Sequence, residues 1–437
     1  MPPDARVRTI STCRACQSKG LVSILSLGNQ YVSNFVDEPL ESQVSAPLEL
    51  VLCDPKAGGC GLLQLKYTVH MDVLYDQYWY RSGINQTMRD ALKDVVENAK
   101  KFVSLKQGDI VVDIGCNDGT LLRAYDVPGI KLVGFDPAKN LLQYSSVGTD
   151  KIFVDFFNAP TFEKEFGSHK AKIITSIAMF YDLDDPNAFV RDIQQILDEK
   201  GVWVIQMNHL WLMIRDNVFD NICHEHLAYF SLATLEKLLQ QHGLEVVDVQ
   251  TNDINGGSFR AFIAHSKQAK SITVPGSKER VNQIRESEKA HGLTERKTFE
   301  AFAQRVEALK RQCVDFIRKE NKNKKTIFAY GASTKGNVML QYYGLNYKDI
   351  LAAADRNPDK FGKKMVGGYV PIISEAEARA RKPDYFLVLP WFFMKEFIPR
   401  EKEFLDGGGK FIVPLPQFQV IDSANAAEFA ARRQLTR

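Results

Sequence analysis

"DIVVDIGCNDGTLLRAY", residues 109–125, decides the fold. Four β-branched residues, Ile110, Val111, Val112 and Ile114, flank a single carboxylate, Asp113, without the apolar-polar alternation of a half-exposed strand. Such a run reads as a strand covered on both faces, as in a parallel sheet. Asp113, Gly115 and Gly119 then stand in an acidic-x-G-x-x-x-G spacing, and "TLLRAY" predicts a helix after the turn. Glycines there let the backbone turn tightly and approach a ligand, while a helix start offers unpaired N–H groups. A dinucleotide fold asks for G-x-G-x-x-G, whereas these positions read Gly115, Asn117, Gly119 with no closing glycine, which argues against NAD.

Downstream, "KLVGFDPAKNLL" ends a second short strand at Asp136, where a carboxylate can accept both hydroxyls of a ribose. Asp155 in "VDFFN" is either a contact to an adenine amine or a surface turn residue. "AKIITSIAMFYDL", "GVWVIQMNHL" and "FRAFIAHS" supply further strands, alternating with helical stretches such as "DDPNAFVRDIQQILDEKG". This alternation predicts a doubly wound α/β domain over 69–274. Residues 275–325 are charged and helical in period and read as a connector. A second Rossmann-like α/β unit over 326–437 opens with "KKTIFAYGASTKGN" and closes with "PDYFLVLPWFF" and "GGKFIVPLP".

Upstream, residues 1–68 hold four of the seven cysteines: Cys13 and Cys16 as C-x2-C, then Cys53 and Cys60. Two thiol pairs across a loop-rich stretch suit a zinc-binding module, in which the metal replaces a core too small to hold itself. Unligated structural thiols are the other reading. Either role is architectural, since four thiolates leave no open coordination position.

The 437 residues carry 56 Lys+Arg against 53 Asp+Glu, a net charge of only +3, so the broad basic face of a nucleic-acid binder is not expected. No stretch reaches the roughly 18 to 20 apolar residues of a membrane span, and the cysteines look like ligands rather than disulfides. Both point to a cytoplasmic protein.

"DNICHEHLAYFS", residues 220–231, gathers Cys223, His224, Glu225 and His226. It fails as H-E-x-x-H, because its two histidines are two apart rather than one helical turn. On an extended strand His224 and His226 would share a face, either as metal ligands or as a polar cluster. Proton transfer is the third reading: an imidazole near its pKa takes a proton, and the neighbouring carboxylate orients it.

Taken in order, the four-cysteine module, "YRSGINQTM", "VVDIGCNDGTLL", "FDNICHEHLAYFS", "NGGSFRAFIA" and "AYGASTKGN" resemble the S-adenosylmethionine-dependent C-methyltransferases of deoxysugar biosynthesis. The resemblance spans nearly the whole chain and implies a class I methyltransferase domain. Asp113, Gly115, Asn117, Gly119, Asp136 and Asp155 would hold S-adenosylmethionine, and Cys13, Cys16, Cys53 and Cys60 a structural Zn2+. The implied substrate is a dTDP- or GDP-linked 4-keto-6-deoxysugar methylated at C-3, and the protein would be a monomer or homodimer. His226 would be the base, with Glu225 beside it, His224 as a supporting or oxyanion partner, and Tyr80 placing the sugar or stabilising the enolate oxygen. Tyr78, Cys223, Tyr181, Ser333, Lys335 and Asn337 would contact the substrate, Lys335 and the "GASTKGN" backbone facing the diphosphate. This loop is not a Walker loop, because the lysine precedes the second glycine. Three positions depart from the family pattern: Cys223 replaces a tyrosine, and Tyr181 and Asn255 replace histidines. The alternative activity is O- or N-methylation of a sugar or other small metabolite.

Overall fold

The computed structural model describes residues 6–39, 43–75, 81–252, 254 and 257–432. All five residues of the strand Ile110–Ile114 are buried, as its unbroken apolar run requires. It lies in a seven-stranded sheet ordered Leu244–Asn252, Ser258–His265, Leu197–Asn208, Ala171–Ile177, Ile110–Ile114, Lys131–Phe135 and Lys151–Phe153. Only Ser258–His265 runs against the others. From Ile110–Ile114 the chain first winds toward Lys131–Phe135, then returns to the other side through Ala171–Ile177. That reversal opens a crevice at the carboxyl ends of the strands, where ligands of doubly wound sheets bind.

The helix expected from "TLLRAY" is not α-helical: the segment makes only a 3-10 turn at Leu122–Ala124. Pro128 disfavours a helical residue before it, so too little chain separates Gly119 from that stop to hold two α-turns. "CHEHLAY" departs as well. His226 N–H donates to Cys223 C=O at 3.1 Å, so Cys223 to His226 form a turn rather than the end of a strand.

A second, eight-stranded sheet has the parallel core Lys410–Val413, Tyr385–Val388, Ile327–Tyr330, Ala353–Asp355 and Val370–Ser374. The connector forms the helices Ser277–Ala290 and Arg296–Lys322. The longer one buries Phe299, Phe302, Val306, Leu309, Cys313 and Ile317, a stripe at helical spacing that packs under the second sheet. Among the described residues no helix is long and apolar enough to cross a membrane.

The amino-terminal segment is interleaved with both units. Its own antiparallel sheet, Leu21–Tyr31, Ser45–Cys53 and Leu63–Leu65, takes Ala228–Tyr229 as a fourth strand directly after the histidine turn. Its strand Phe35–Val36 extends the second sheet by pairing with Lys364–Met365. One buried apolar cluster therefore runs from Leu48 and Leu50 through Phe219 and Ile222 to Val338 and Phe386.

Candidate active site

A cavity of about 1200 Å³ opens at the carboxyl ends of the seven-stranded sheet, between that sheet, the amino-terminal segment and the start of the helix Thr334–Tyr343. At one end lie Asp113, Gly115, Asn117, Asp136 and Asp155. Gly115 has φ 72° and Asn117 φ 51°, the left-handed conformation the tight turn demands. Asp136 fixes the turn: its Oδ2 accepts Asn117 N–H at 2.8 Å and its Oδ1 accepts Ala138 N–H at 2.9 Å. Each carboxylate oxygen keeps a further lone pair toward the cavity, so the residue can still accept a ribose hydroxyl.

Asp113 is 3 % exposed, and Thr175 Oγ1 donates to its Oδ1 at 2.6 Å. Burial, with Asp136 nearby, pushes its carboxyl up to about 7 against the pull of Thr175. Burial also raises Asp136. Two carboxyls held against their preference in a wet cleft suit a ligand carrying positive charge and hydroxyls, as S-adenosylmethionine does. Gly119 does not line the cavity. Its φ is 76°, and a β-carbon there would meet the Ser145 carbonyl oxygen at 3.0 Å, so it serves the turn and its packing. Asp155 is on the wall, where its Oδ1 accepts the Phe156 N–H at 2.7 Å.

The other end of the cavity is made by Tyr181, Cys223, Glu225 and His226, faced by Ser333 and Lys335. His226 Nδ1 lies 2.8 Å from the Asn221 carbonyl oxygen. A carbonyl can only accept, so Nδ1 carries the proton and Nε2 keeps its lone pair. Tyr181 stands edge-on to the imidazole, ring centroids 4.4 Å apart. Burial, then the Lys335 charge, hold His226 down to about 3 against the Asn221 contact, so the ring is neutral. Burial raises both Glu225 and Cys223, and Glu225 Oε2 has no partner among the described residues.

His224 and Asn337 are not brought to the site. The turn swings His224 away from His226 into the amino-terminal sheet, where its Nε2 lies 3.0 Å from the Ala46 carbonyl oxygen and burial lowers it to about 4. Asn337, 1 % exposed, points into the protein from the helix Thr334–Tyr343, and neither polar atom of its amide has a partner. Ser333 caps that helix by accepting the Gly336 N–H at 3.0 Å. Tyr78, Tyr80 and Asn255 lie outside the described residues.

Several wall residues carry no motif. Val32, Ser33 and Asn34 come from the amino-terminal segment, and Phe392 and Phe393 from "PWFF". Ser33 Oγ donates to the Thr334 carbonyl at 3.3 Å, which clips that segment to the helix. Only the aromatic run carried a sequence signal.

The four amino-terminal sulfurs converge, all within 4.8 Å of one another. Cys13 and Cys60 Sγ are 3.7 Å apart, and Cys16 and Cys53 Sγ 3.5 Å. Zn–S bonds of about 2.3 Å at tetrahedral angles give sulfur separations of about 3.8 Å, so these thiols fit Zn2+ with no position left open.

Three family models match the chain in series: "Putative zinc binding domain" over residues 13–75, "Methyltransferase domain" over 80–249, and "C-methyltransferase C-terminal domain" over 253–416. The curated protein C-methyltransferase NovU of Streptomyces niveus is 31% identical over 95% of this chain and 98% of its own. Among solved structures, N-methyltransferase NodS of Bradyrhizobium japonicum is 12% identical, covering 42% of this chain and 98% of its own, with a TM-score of 0.32. Magnesium protoporphyrin IX methyltransferase of Synechocystis PCC 6803 with bound SAH is 11% identical, covering 43% and 90%, with a TM-score of 0.33. With a zinc-binding module, an S-adenosylmethionine-dependent methyltransferase domain and a relative matched nearly end to end, the chain belongs to the C-methyltransferase family.

Proposed function

We propose that this enzyme methylates carbon, at C-3, in a nucleotide-linked 4-keto-deoxysugar. The observation that carries the reading is the His226 tautomer: Nδ1–H is committed to the Asn221 carbonyl, which leaves Nε2 as a proton acceptor inside the cavity. A carbon beside a ketone is acidic enough for a neutral imidazole to deprotonate it, provided the developing oxyanion is stabilised.

His226 Nε2 takes that proton, and the C–H electron pair moves into the ring as the ketone becomes an enolate. The same carbon then forms its new bond to the methyl group while the ketone re-forms, and His226 returns its proton to water. S-adenosylmethionine, when bound, would supply the electrophilic methyl group, its S–CH3 bond breaking with the electron pair left on sulfur. Asp113 and Asp136 hold its charged and hydroxyl-bearing ends, with Asp155 beside the adenine. The Asn221 carbonyl and the Tyr181 ring orient the imidazole, with Glu225 beside it on the cavity wall, and Tyr181 and Cys223 shape the space for the sugar. Ser333 and the backbone around it take the nucleotide end, a role suited to a helix start. None of the seven cysteines is in a disulfide, which suits action in the reducing cytoplasm.

The test is solvent exchange. In D2O, with S-adenosylhomocysteine in place of the methyl donor, wild type should wash deuterium into the carbon next to the ketone of a dTDP-linked 4-keto-6-deoxysugar. His226→Ala should lose exchange and methyl transfer yet still bind S-adenosylmethionine. Methyl transfer to oxygen or nitrogen, without exchange at carbon, would sink the proposal.

A further inference from the structure

Lys335 occupies a place that holding a diphosphate does not account for. It sits in the first turn of the helix Thr334–Tyr343 and lines the cavity together with Cys223, Glu225 and His226. Its Nζ makes no hydrogen bond or close ion pair with any described residue; its described contacts are the Phe392 ring, 5.8 Å from Nζ to centroid, and a longer-range attraction to Asp220. Burial lowers this amine against the pull of Asp220, so its charged form, with three donors and no acceptor, gains most from meeting an anion on the cavity wall.

Asp220 tells which anion. It is fully buried, one residue before the Asn221 carbonyl that fixes the His226 tautomer. Trp391 Nε1 donates to its Oδ2 at 3.1 Å, and its Oδ1 has no partner. Burial raises this carboxyl against the opposing charge of Lys335. The same lysine is the second influence, after burial, keeping His226 unprotonated. Trp391, Asp220 and Asn221 thus stand behind His226, and the Lys335 charge, from the second α/β unit, acts on both Asp220 and His226. A sugar whose acidic carbon lies at His226 Nε2 has its ketone oxygen only two bonds further on.

The geometry points to Lys335, on the wall of the cavity that holds His226, as the group that neutralises the enolate oxygen. The proton moves from the sugar carbon to His226, negative charge collects on the ketone oxygen, and Lys335 faces that oxygen without giving up a proton. The diphosphate is left to the helix start around Ser333. This role rests on the proposed enolate chemistry.

Two measurements separate it from a phosphate-gripping role. Wild type, Lys335→Met and the double variant Lys335→Met/Asp220→Asn are compared for deuterium exchange at saturating dTDP-linked 4-keto-6-deoxysugar with S-adenosylhomocysteine, and for calorimetric binding of dTDP alone. The double variant removes both buried charges and keeps the test readable if the single one fails to fold. We expect exchange to fall by roughly a hundredfold, the scale of losing one oxyanion partner, while dTDP affinity stays within about threefold. Exchange within threefold of wild type would overturn the assignment. So would dTDP binding weakened tenfold or more with exchange intact at saturation. Absence of exchange in wild type itself would instead strike the enolate reading, and this role with it.

Discussion

Arg14 and Asp184 tie the cysteine knuckle to the cavity wall. Arg14 lies between Cys13 and Cys16 in sequence, and its Nε donates to Asp184 Oδ1 at 3.3 Å, while its Nη1 and Nη2 reach Leu65 C=O and Thr68 Oγ1, both at 2.6 Å. Its side chain is buried, whereas Asp184 lies on the cavity wall three residues beyond Tyr181. Arg14→Met should cost about 2–3 kcal/mol, because it leaves the buried Leu65 carbonyl and the Thr68 hydroxyl without their donor, while Asp184 keeps Arg8 and Thr68. Urea unfolding of the zinc-loaded protein measures it; a loss below about 0.5 kcal/mol would mean these bonds are replaced by water.

Removing the zinc should loosen more than the knuckle. Asn187 Nδ2 donates to the Arg14 and Ala15 carbonyls, both at 2.9 Å, so the turn that carries two thiols also holds the start of the helix Pro186–Ile196. After chelation, amide exchange should quicken together at 13–16, 53–60 and 181–188, with little change at 385–388. A response confined to the cysteine turns would contradict that link.

The Asp113 carboxyl gives the unliganded protein a pH signature. Its folded pKa, about 7, lies above the ordinary aspartate value of 3.8, so the protonated form is favoured by folding. Stability from this group is complete below about pH 4 and drains away as pH rises to about 7. Asp113→Asn should therefore flatten the decline in unfolding free energy between pH 5 and 8, by an amount on the order of 2 kcal/mol or more. Asp136, Asp220 and Glu225, also raised by burial, keep part of the slope. An unchanged slope would show that Asp113 stays ionised throughout.

His226 predicts where the acid limb of activity is absent. Held down to about 3, it stays unprotonated across the ordinary range. The pH profile of kcat/KM should show no fall near the histidine value of about 6.5. A limb at that pH in the wild-type profile would show the ring to be solvated in the working enzyme.

Gly119→Ala tests the turn without touching the cavity wall. Its left-handed φ and the Ser145 carbonyl behind it should cost about 1–3 kcal/mol, read as a lower Tm. A neutral substitution would mean the turn relaxes freely.

What sequence reveals here is what short spans of chain encode. Asp113 to Gly119 sit within one strand and turn, so residue type and spacing are enough to place them. The four cysteines are equally readable, since convergence on one ion is the simplest use of two close pairs. His224 is different: its neighbour is Ala46, brought in by a sheet that accepts Ala228–Tyr229 as a strand, and no local pattern announces that pairing. The "TLLRAY" segment misleads for a related reason, because helical composition yields to a proline a few residues on. Lys335 was legible as a cation beside a glycine-rich loop, but not the pull of Asp220 on it, since that carboxyl and its partner Trp391 come near only through tertiary packing.

The strand exchange among the three parts bears on how the chain can be divided. Cutting after residue 68 would remove Phe35–Val36 from one end of the eight-stranded sheet and strip Ala228–Tyr229 of the strand it pairs with. Lys364–Met365 would then present raw N–H and C=O groups to solvent, an invitation to pair with another molecule. A fragment that begins at the methyltransferase domain is therefore expected to clump rather than work, and the zinc knuckle acts as a solubility guard for the two folds it joins.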